Sequence, residues 1–386
     1  MQNIRELLTK PAINKFAQLP SFSSGVYIYG AGELGLLAIE YCESCQIPIA
    51  GIIDKNKTGV VKGKGSEYAI GKPNEASIMD RHIPVAVAVA TVPYVPIAES
   101  LEAMGWRTVV PFYGLTSEKR TGHPLSNGWM IGEVSEQERA TVSWICENWA
   151  DTMSFSHYEA FLAWHIDGSE LPLINYPIDP DQRYTIEPLL DFFSVRHHQF
   201  VDIGSHCGGT VQRLNEKGIF FNNYILIEPD AVSRNALSTV AAQLRKQGRE
   251  VNILSDIVGE SRSTLPFQEG LGYCSQIWSQ SSTYKEVLPI DDLTLGPDFL
   301  KIHTEGSEWD ILNGAQNTIQ RYRPALAFSV YHRRDGFCAD IAKAMKLFAG
   351  YRWYFRLHSY QGTGAFVYAI PGCSTFRSKT PSCQTN

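Results

Sequence analysis

The residues best placed for chemistry in this sequence are a set of glycines and the carboxylate that follows them. Residues 200–210 read FVDIGSHCGGT, an apolar run that leads into a turn containing Gly204 and Gly208. Glycines allow a backbone to approach a ligand closely. A second apolar run, residues 224–227, ends in Glu228, and a carboxylate at that position can accept two hydrogen bonds from a ribose diol. This order predicts a site for a nucleoside-bearing cofactor.

A second polar group follows two other apolar runs further along the chain. Residues 299–302 lead into His303 and Glu305, and residues 325–330 lead through a tyrosine into His332. Side chains at the carboxyl ends of parallel strands line the ligand crevice of a doubly wound sheet. We therefore expect these side chains to face one crevice, where histidine and glutamate can serve as general acids or bases.

The elements needed to position both groups are those of an α/β protein. Apolar runs alternate with helical patterns, as in residues 233–247, which precede a third predicted strand at residues 251–254. That strand leads to Asp256, which could accept a hydrogen bond from an adenine amino group. The chain closes with residues 351–371, which are predicted to form an antiparallel hairpin at the sheet edge. The predicted fold class is α/β, with a doubly wound sheet in the C-terminal part.

A separate glycine motif lies near the start of the chain. The segment VYIYGAGELG joins a predicted strand, residues 26–29, to a helix, and a second strand at residues 49–53 ends in an aspartate. The candidate nucleotide-site residues are Gly30, Gly32, Gly35 and Asp54. Two interpretations stay open: a bound nucleotide or nucleotide sugar, or a glycine turn kept for tight strand-to-helix packing. The same region contains no Tyr/Lys or His/Asp pair suited to an oxidoreductase.

The length of 386 residues predicts more than one core. We expect a small Rossmann-like domain over residues 1–116, a helical connector over residues 117–196 and the doubly wound domain over residues 197–371. Residues 372–386 are predicted to be a disordered tail. The first interpretation of the connector is that its aromatic side chains are core residues. The second is that its segment 176–184 forms a lid or wall over the site of the following domain.

Composition and charge narrow the classes of function. Hydrophobic residues make up 44% and charged residues 19% of the chain, and the net charge is -6. A net negative charge does not favour nucleic acid, whose phosphates require a basic face. The sequence has neither an apolar signal-peptide core nor a membrane-spanning run, so we expect a cytoplasmic protein without membrane insertion. The only closely spaced cysteines, Cys42 and Cys45, are expected to be buried on one helix face.

The C-terminal part of the sequence, roughly residues 180–370, resembles the FkbM family of S-adenosylmethionine-dependent methyltransferases. Four segments carry the resemblance in order and approximate spacing: FVDIGSHCGGT, then IEPD, then PIDDL with DFLKIHTEGSEWDILNGA, and then FSVYHRRDGF. The N-terminal GAGELG region is more loosely similar to small nucleotide-binding half-folds found ahead of some bacterial sugar-modifying enzymes. The resemblance implies a class I methyltransferase fold and O-methylation, often of a hydroxyl group on a sugar or polyketide.

The resemblance also implies roles for particular residues. The cofactor-binding set is Asp202, Gly204, Ser205, His206 and Gly208 in the glycine loop, with Glu228 on the ribose and Asp256 on the adenine. The predicted catalytic set is His332, His303 and Glu305.

This chain departs from the family pattern at His303, where many members have an aspartate. A neutral imidazole is a competent general base because its unperturbed pKa is about 6.5. Between the two histidines we favour His332, which matches the family pattern, as a neutral base, and Glu305 would orient a histidine or the acceptor. We assign no metal ligands from the sequence, although an ion held by Asp292 or Glu305 stays open.

The predicted function is S-adenosylmethionine-dependent O-methylation of a small-molecule or glycan acceptor. A sugar, a glycan precursor of polysaccharide biosynthesis or a related secondary metabolite would suit the resemblance. The alternative is a non-catalytic binding or regulatory protein that binds S-adenosylmethionine, or senses a nucleotide sugar through its first domain.

Overall fold

The structure, a computed structural model, describes residues 2–10, 22–75, 80–119, 123–125 and 127–372. The predicted disordered tail lies outside the described residues from position 373 onward. No helix within the described ranges is long and apolar enough to cross a membrane.

The N-terminal part forms a six-stranded sheet with helices packed on it. Its elements are α1 (Gln2–Thr9), β1 (Val26–Tyr29), α2 (Glu33–Ser44), β2 (Ile49–Ile53), β3 (Gly59–Lys62), β4 (Glu67–Gly71), β5 (Val85–Val87), α3 (Tyr94–Ala103) and β6 (Val109–Pro111). The strand order is β3-β4-β2-β1-β5-β6, and all neighbouring pairs are parallel except β3 with β4. Strands β3 and β4 were not predicted from the sequence, because their apolar residues are few and half exposed.

Helices connect this sheet to the next one: α4 (Phe112–Lys119), α5 (Glu136–Asn148), α6 (Thr152–Asp167) and α7 (Glu187–Phe193). Helix α5 begins at a capping box between Ser135 and Glu138, which satisfies backbone donors at both residues. Helix α6 ends at Gly168, whose φ of 66° is readily adopted by glycine. Tyr158 and Phe161 of α6 pack into the C-terminal core, as the first interpretation of the connector predicted for its aromatic side chains.

The C-terminal part is built on a seven-stranded sheet. Its strands are β7 (Gln199–Ile203), β8 (Asn223–Ile227), β9 (Glu250–Leu254), β14 (Phe299–Ile302), β15 (Ala325–Ser329), β16 (Tyr351–Leu357) and β17 (Ala365–Pro371). Its helices are α8 (Gly209–Glu216), α9 (Ala231–Lys246), α10 (Glu308–Asn313), α11 (Gln316–Tyr322) and α12 (Ala339–Leu347). A small mixed sheet, absent from the sequence prediction, lies between β9 and β14 and comprises β10 (Ile257–Val258), β11 (Ser263–Gln268), β12 (Gln276–Ile277) and β13 (Tyr284–Leu288).

The order of the large sheet is β16-β17-β15-β14-β7-β8-β9, with β17 antiparallel to both of its neighbours. The predicted α/β fold with a doubly wound sheet and an edge hairpin is therefore confirmed. The central strands are buried on both faces, which explains why they read as continuous apolar runs. From β7 to β9 successive strands are added on one side of β7, and from β14 onward they are added on the other side, so the strand order reverses between β7 and β14. Ligands of open α/β sheets bind at such a switch point.

The N-terminal and C-terminal parts of the chain contact each other through loops at the end of β5 and the start of α3. Backbone carbonyls just after β5 accept hydrogen bonds from the loop before β17: Val89 from the side chain of Gln361 at 2.7 Å, and Ala90 from the backbone of Tyr360 at 2.8 Å. The carboxylate of Glu170 accepts hydrogen bonds from the first backbone N–H groups of α3, at 3.1 Å each. The carboxyl ends of the N-terminal strands thus lie against the C-terminal domain.

Candidate cofactor and acceptor site

The glycine loop after β7 packs directly against the loop after β14. Gly204 has a φ of 72°, and a Cβ atom there would overlap the carbonyl oxygen of His303. Gly208, with a φ of 85°, packs against Val240 and Leu237 of α9. Only glycine fits the first position without strain, and the close approach places the predicted cofactor loop beside the predicted catalytic residues.

Glu228 closes the other side of the loop. Its Oε2 accepts a hydrogen bond from the backbone N–H of His206 at 2.7 Å, and its Oε1 accepts one from Asp230 at 2.8 Å. Burial raises the pKa of Glu228, although these two backbone donors oppose the shift. Each carboxylate oxygen has a second lone pair. The side chain can therefore hold the loop and keep lone pairs for further hydrogen bonds, and its contact with a ribose diol stays a prediction.

A cavity of about 40 Å³ lies between the loop and the small sheet. Its lining includes Gly204, Glu228, Asp256 and Thr304, so it contains the predicted ribose and adenine residues. Binding pockets for small molecules and cofactors usually have volumes of roughly 300 to 1,000 Å³. In this form the cavity holds only part of an adenosyl group, and binding of a whole cofactor requires its walls to separate.

Asp202 and Ser205 are buried inside the loop. Asp202 has no exposed surface and pairs with Nζ of Lys301 at 2.7 Å. Burial raises the pKa of Asp202 even though the charge of Lys301 opposes the shift. Lys301 also donates a hydrogen bond to the carbonyl of Gly204 at 2.6 Å, and Oγ of Ser205 donates one to the carbonyl of Asp202 at 2.7 Å. The geometry does not support side-chain contacts from Asp202 or Ser205 to a cofactor; they hold the loop in shape.

The structure brings the three predicted catalytic residues together. His332 lies between two carboxylates: Nε2 is 3.0 Å from Oε1 of Glu305, and Nδ1 is 2.9 Å from Oε1 of Glu308. Burial alone would lower the pKa of His332, but Glu305 and Glu308 outweigh it and raise that pKa to about 10. His332 is therefore an imidazolium at neutral pH, which does not fit the predicted neutral base.

His303 has the opposite electrostatic environment. Burial and the positive charges of His332 and Lys301 hold the pKa of His303 well below its usual range, so its imidazole is neutral. Its Nε2 is 2.9 Å from the hydroxyl of Tyr331, and its Nδ1 is 3.2 Å from the hydroxyl of Tyr184. The side chain is 21% exposed, and its ring stacks on that of His332 with 5.2 Å between centroids.

Three contributors to this cluster were not among the predicted site residues: Glu308, Tyr331 and Tyr184. Glu308 accepts hydrogen bonds from the backbone of Thr304 and Gly306 at 3.0 Å each, and so shapes the loop after β14. The sequence feature that could have identified Glu308 is its position three residues after Glu305, in the same turn. Tyr184 supports the second interpretation of the connector, in which residues 176–184 form a wall of the site.

The N-terminal glycine turn is held by its own aspartate. Asp54 accepts hydrogen bonds from the backbone of Ala31 through Oδ2 at 2.8 Å and from Asn56 and Lys57 through Oδ1 at 2.7 Å each. Burial would raise the pKa of Asp54, but these backbone donors outweigh it and lower the pKa. A Cβ atom at Gly35 would overlap the carbonyl of Gly30. These contacts favour the packing interpretation of the motif over a second nucleotide site.

A cleft of about 800 Å³ separates the N-terminal turn from the C-terminal domain. The N-terminal sheet contributes Gly30, Glu33 and Asp54 to its lining, and the opposite wall includes Arg183 and Tyr273. Arg183 directly precedes Tyr184, which contacts His303 of the His/Glu cluster, although the three cluster residues are not part of the cleft lining. The cleft is therefore a candidate acceptor site.

The strand order, the glycine loop at the switch point and the acid after β8 together have the arrangement of a class I methyltransferase fold. Residues 206–357 match the family model of the methyltransferase FkbM domain, and this match confirms the resemblance drawn from the sequence over that segment.

A solved structure extends the similarity over nearly the whole chain. The crystal structure of methyltransferase FkbM from Methylobacillus flagellatus KT has a TM-score of 0.61 with 18% sequence identity, covering 96% of this chain and 94% of that one. At this identity the comparison shows a shared fold. No curated protein matches the sequence.

Proposed function

We propose that the protein is an S-adenosylmethionine-dependent O-methyltransferase whose acceptor binds in the cleft between the two sheets. The observation that carries the proposal is the contact between Gly204 and the carbonyl of His303. This contact sets the predicted cofactor loop beside the His/Glu cluster. A methyl donor bound along the loop and a hydroxyl group bound at the cluster would be neighbours.

Glu228 and Asp256 fit the adenosyl part of the cofactor, because both line the same cavity and one carboxylate already faces the loop. When bound, S-adenosylmethionine would supply a methyl group on a sulfonium centre. In the absence of a metal ion, His303 would accept a hydrogen bond from the acceptor hydroxyl and then its proton, since its imidazole is neutral and partly exposed. The imidazolium of His332, fixed between two carboxylates, would help to position the acceptor.

The dimensions of the cleft support an acceptor of sugar or nucleotide-sugar size, because about 800 Å³ falls in the range of small-molecule sites. An apolar pocket of about 380 Å³ adjoins it and shares Pro93, Pro96 and Ser359 with its lining. An acceptor with an apolar group next to its hydroxyl-bearing part could extend into this pocket. In this proposal the N-terminal domain is a wall of the acceptor site.

The test has two arms. Calorimetry of the full chain with S-adenosylmethionine should show one binding site, and methyl-labelled cofactor should then transfer its label to one class of hydroxyl acceptor. The panel is free sugars, nucleotide sugars and lipid-linked sugars. If the folded protein binds no S-adenosylmethionine, the proposal is wrong. Binding without transfer to any class would instead support the non-catalytic alternative.

A further inference from the structure

The His/Glu cluster has the donor set of a metal site. His303, Glu305 and His332 each offer one ligand atom, and these atoms lie within 4.8 Å of one another. Oε1 of Glu305 is 3.0 Å from Nε2 of His332 and 3.9 Å from Nε2 of His303. Tetrahedral coordination with bonds of about 2.0 to 2.1 Å places neighbouring ligand atoms about 3.3 Å apart. Of the two distances from Oε1 of Glu305, the one to His332 is shorter than this value and the one to His303 is longer.

His332 is oriented as a metal-binding histidine would be. Its Nδ1 is paired with the carboxylate of Glu308 at 2.9 Å, and a ligating histidine generally gives its other ring nitrogen to a carboxylate or carbonyl. Its buried Nε2 lies 3.0 Å from Oε1 of Glu305, another of the three ligand atoms. The Nδ1 atom of His303 has a neutral partner instead, the hydroxyl of Tyr184 at 3.2 Å.

We propose that His303, Glu305 and His332 bind one divalent transition-metal ion, of the Zn²⁺ type, through two imidazole nitrogens and one carboxylate oxygen. Two imidazoles favour Zn²⁺, Co²⁺ or Ni²⁺ over Mg²⁺, which takes oxygen ligands. Three protein ligands leave a fourth position open, as in catalytic zinc sites. The ion replaces the hydroxyl of Tyr331 as the partner of Nε2 of His303.

The role of the ion rests on the proposed function, whereas its binding does not. In methyl transfer the acceptor hydroxyl takes the fourth position, where the ion lowers the pKa of that hydroxyl. The O–H proton leaves to solvent, and the oxygen's electron pair forms the new C–O bond. The S–CH₃ bond breaks at the same time, with its electron pair remaining on sulfur. His303 is then a ligand and no longer the proton acceptor.

The test titrates the full chain, stripped with a chelator, with Co²⁺ at pH 8, because metal binding must release the proton of His332 and is therefore favoured by a higher pH. The readout is the visible absorption of tetrahedral Co²⁺, followed by its displacement with Zn²⁺. His303→Ala and Glu305→Gln remove one ligand each, and the second substitution keeps the size of the side chain. His197→Ala removes an exposed histidine outside the cluster and serves as the matched control.

We expect one Co²⁺ per chain, no displacement by Mg²⁺ at equal concentration, and at least tenfold weaker binding in both ligand variants, with the control unchanged. Circular dichroism verifies that each variant is folded. Absence of the absorption band, or equal Co²⁺ binding by wild type and Glu305→Gln, would overturn the metal site. Calorimetry with S-adenosylmethionine on the same stripped protein tests the cofactor site separately, so failure of one proposal is distinguishable from failure of the other.

Discussion

Replacing Glu228 with alanine tests the cofactor site most directly. The carboxylate is 6% exposed and holds the backbone N–H groups of His206 and Asp230. We propose that it also accepts hydrogen bonds from the ribose. Each hydrogen bond to a charged group contributes roughly 1.5 to 3 kcal/mol, so loss of one ribose bond weakens binding by about 10- to 150-fold.

The assay is calorimetric titration of wild-type and Glu228→Ala protein with S-adenosylmethionine. Because the substitution also leaves two backbone donors without their acceptor, the thermal midpoint is measured in parallel to separate loop disruption from lost ribose contacts. Glu250→Ala, an exposed glutamate at the start of β9, should leave the affinity unchanged. An unaltered Kd in folded Glu228→Ala protein would refute the assignment of Glu228 to the ribose.

Three further predictions concern other parts of the site. His303→Ala should lower kcat by about 10² to 10⁴ with an unchanged Kd for the cofactor; steady-state kinetics showing near-normal kcat would mean that the cluster has no part in transfer. Lys301→Met leaves buried Asp202 without its partner and should cost about 3 to 5 kcal/mol in denaturant unfolding, partly recovered by adding Asp202→Asn. Gly35→Ala should lower the thermal midpoint, whereas Gly32→Ala, whose Cβ meets no described atom within 4 Å, should not; equal effects would contradict the packing interpretation of the N-terminal turn.

The local pattern of the sequence was sufficient for the large sheet. Apolar runs followed by glycine or by polar side chains predicted β7, β8 and β14 and the loops after them, because strands covered by helices on both faces must be apolar throughout. The small strands β3, β4 and β10 to β13 lack such runs: β10 and β12 have only two residues each, and β3 and β4 are half exposed. Their pairing depends on neighbours distant in sequence.

The sequence by itself determined that His303, Glu305 and His332 would meet, because carboxyl ends of adjacent parallel strands meet at one edge. It could not determine their charge states. Two carboxylates beside His332 and positive neighbours around His303 move the two pKa values in opposite directions, and only the packed structure creates those distances. The same holds for Asp202 and Tyr184: one is enclosed with Lys301, and the other reaches His303 from a connector more than a hundred residues away. A pKa or a long-range contact depends on the surroundings in space, which residue type and spacing do not specify.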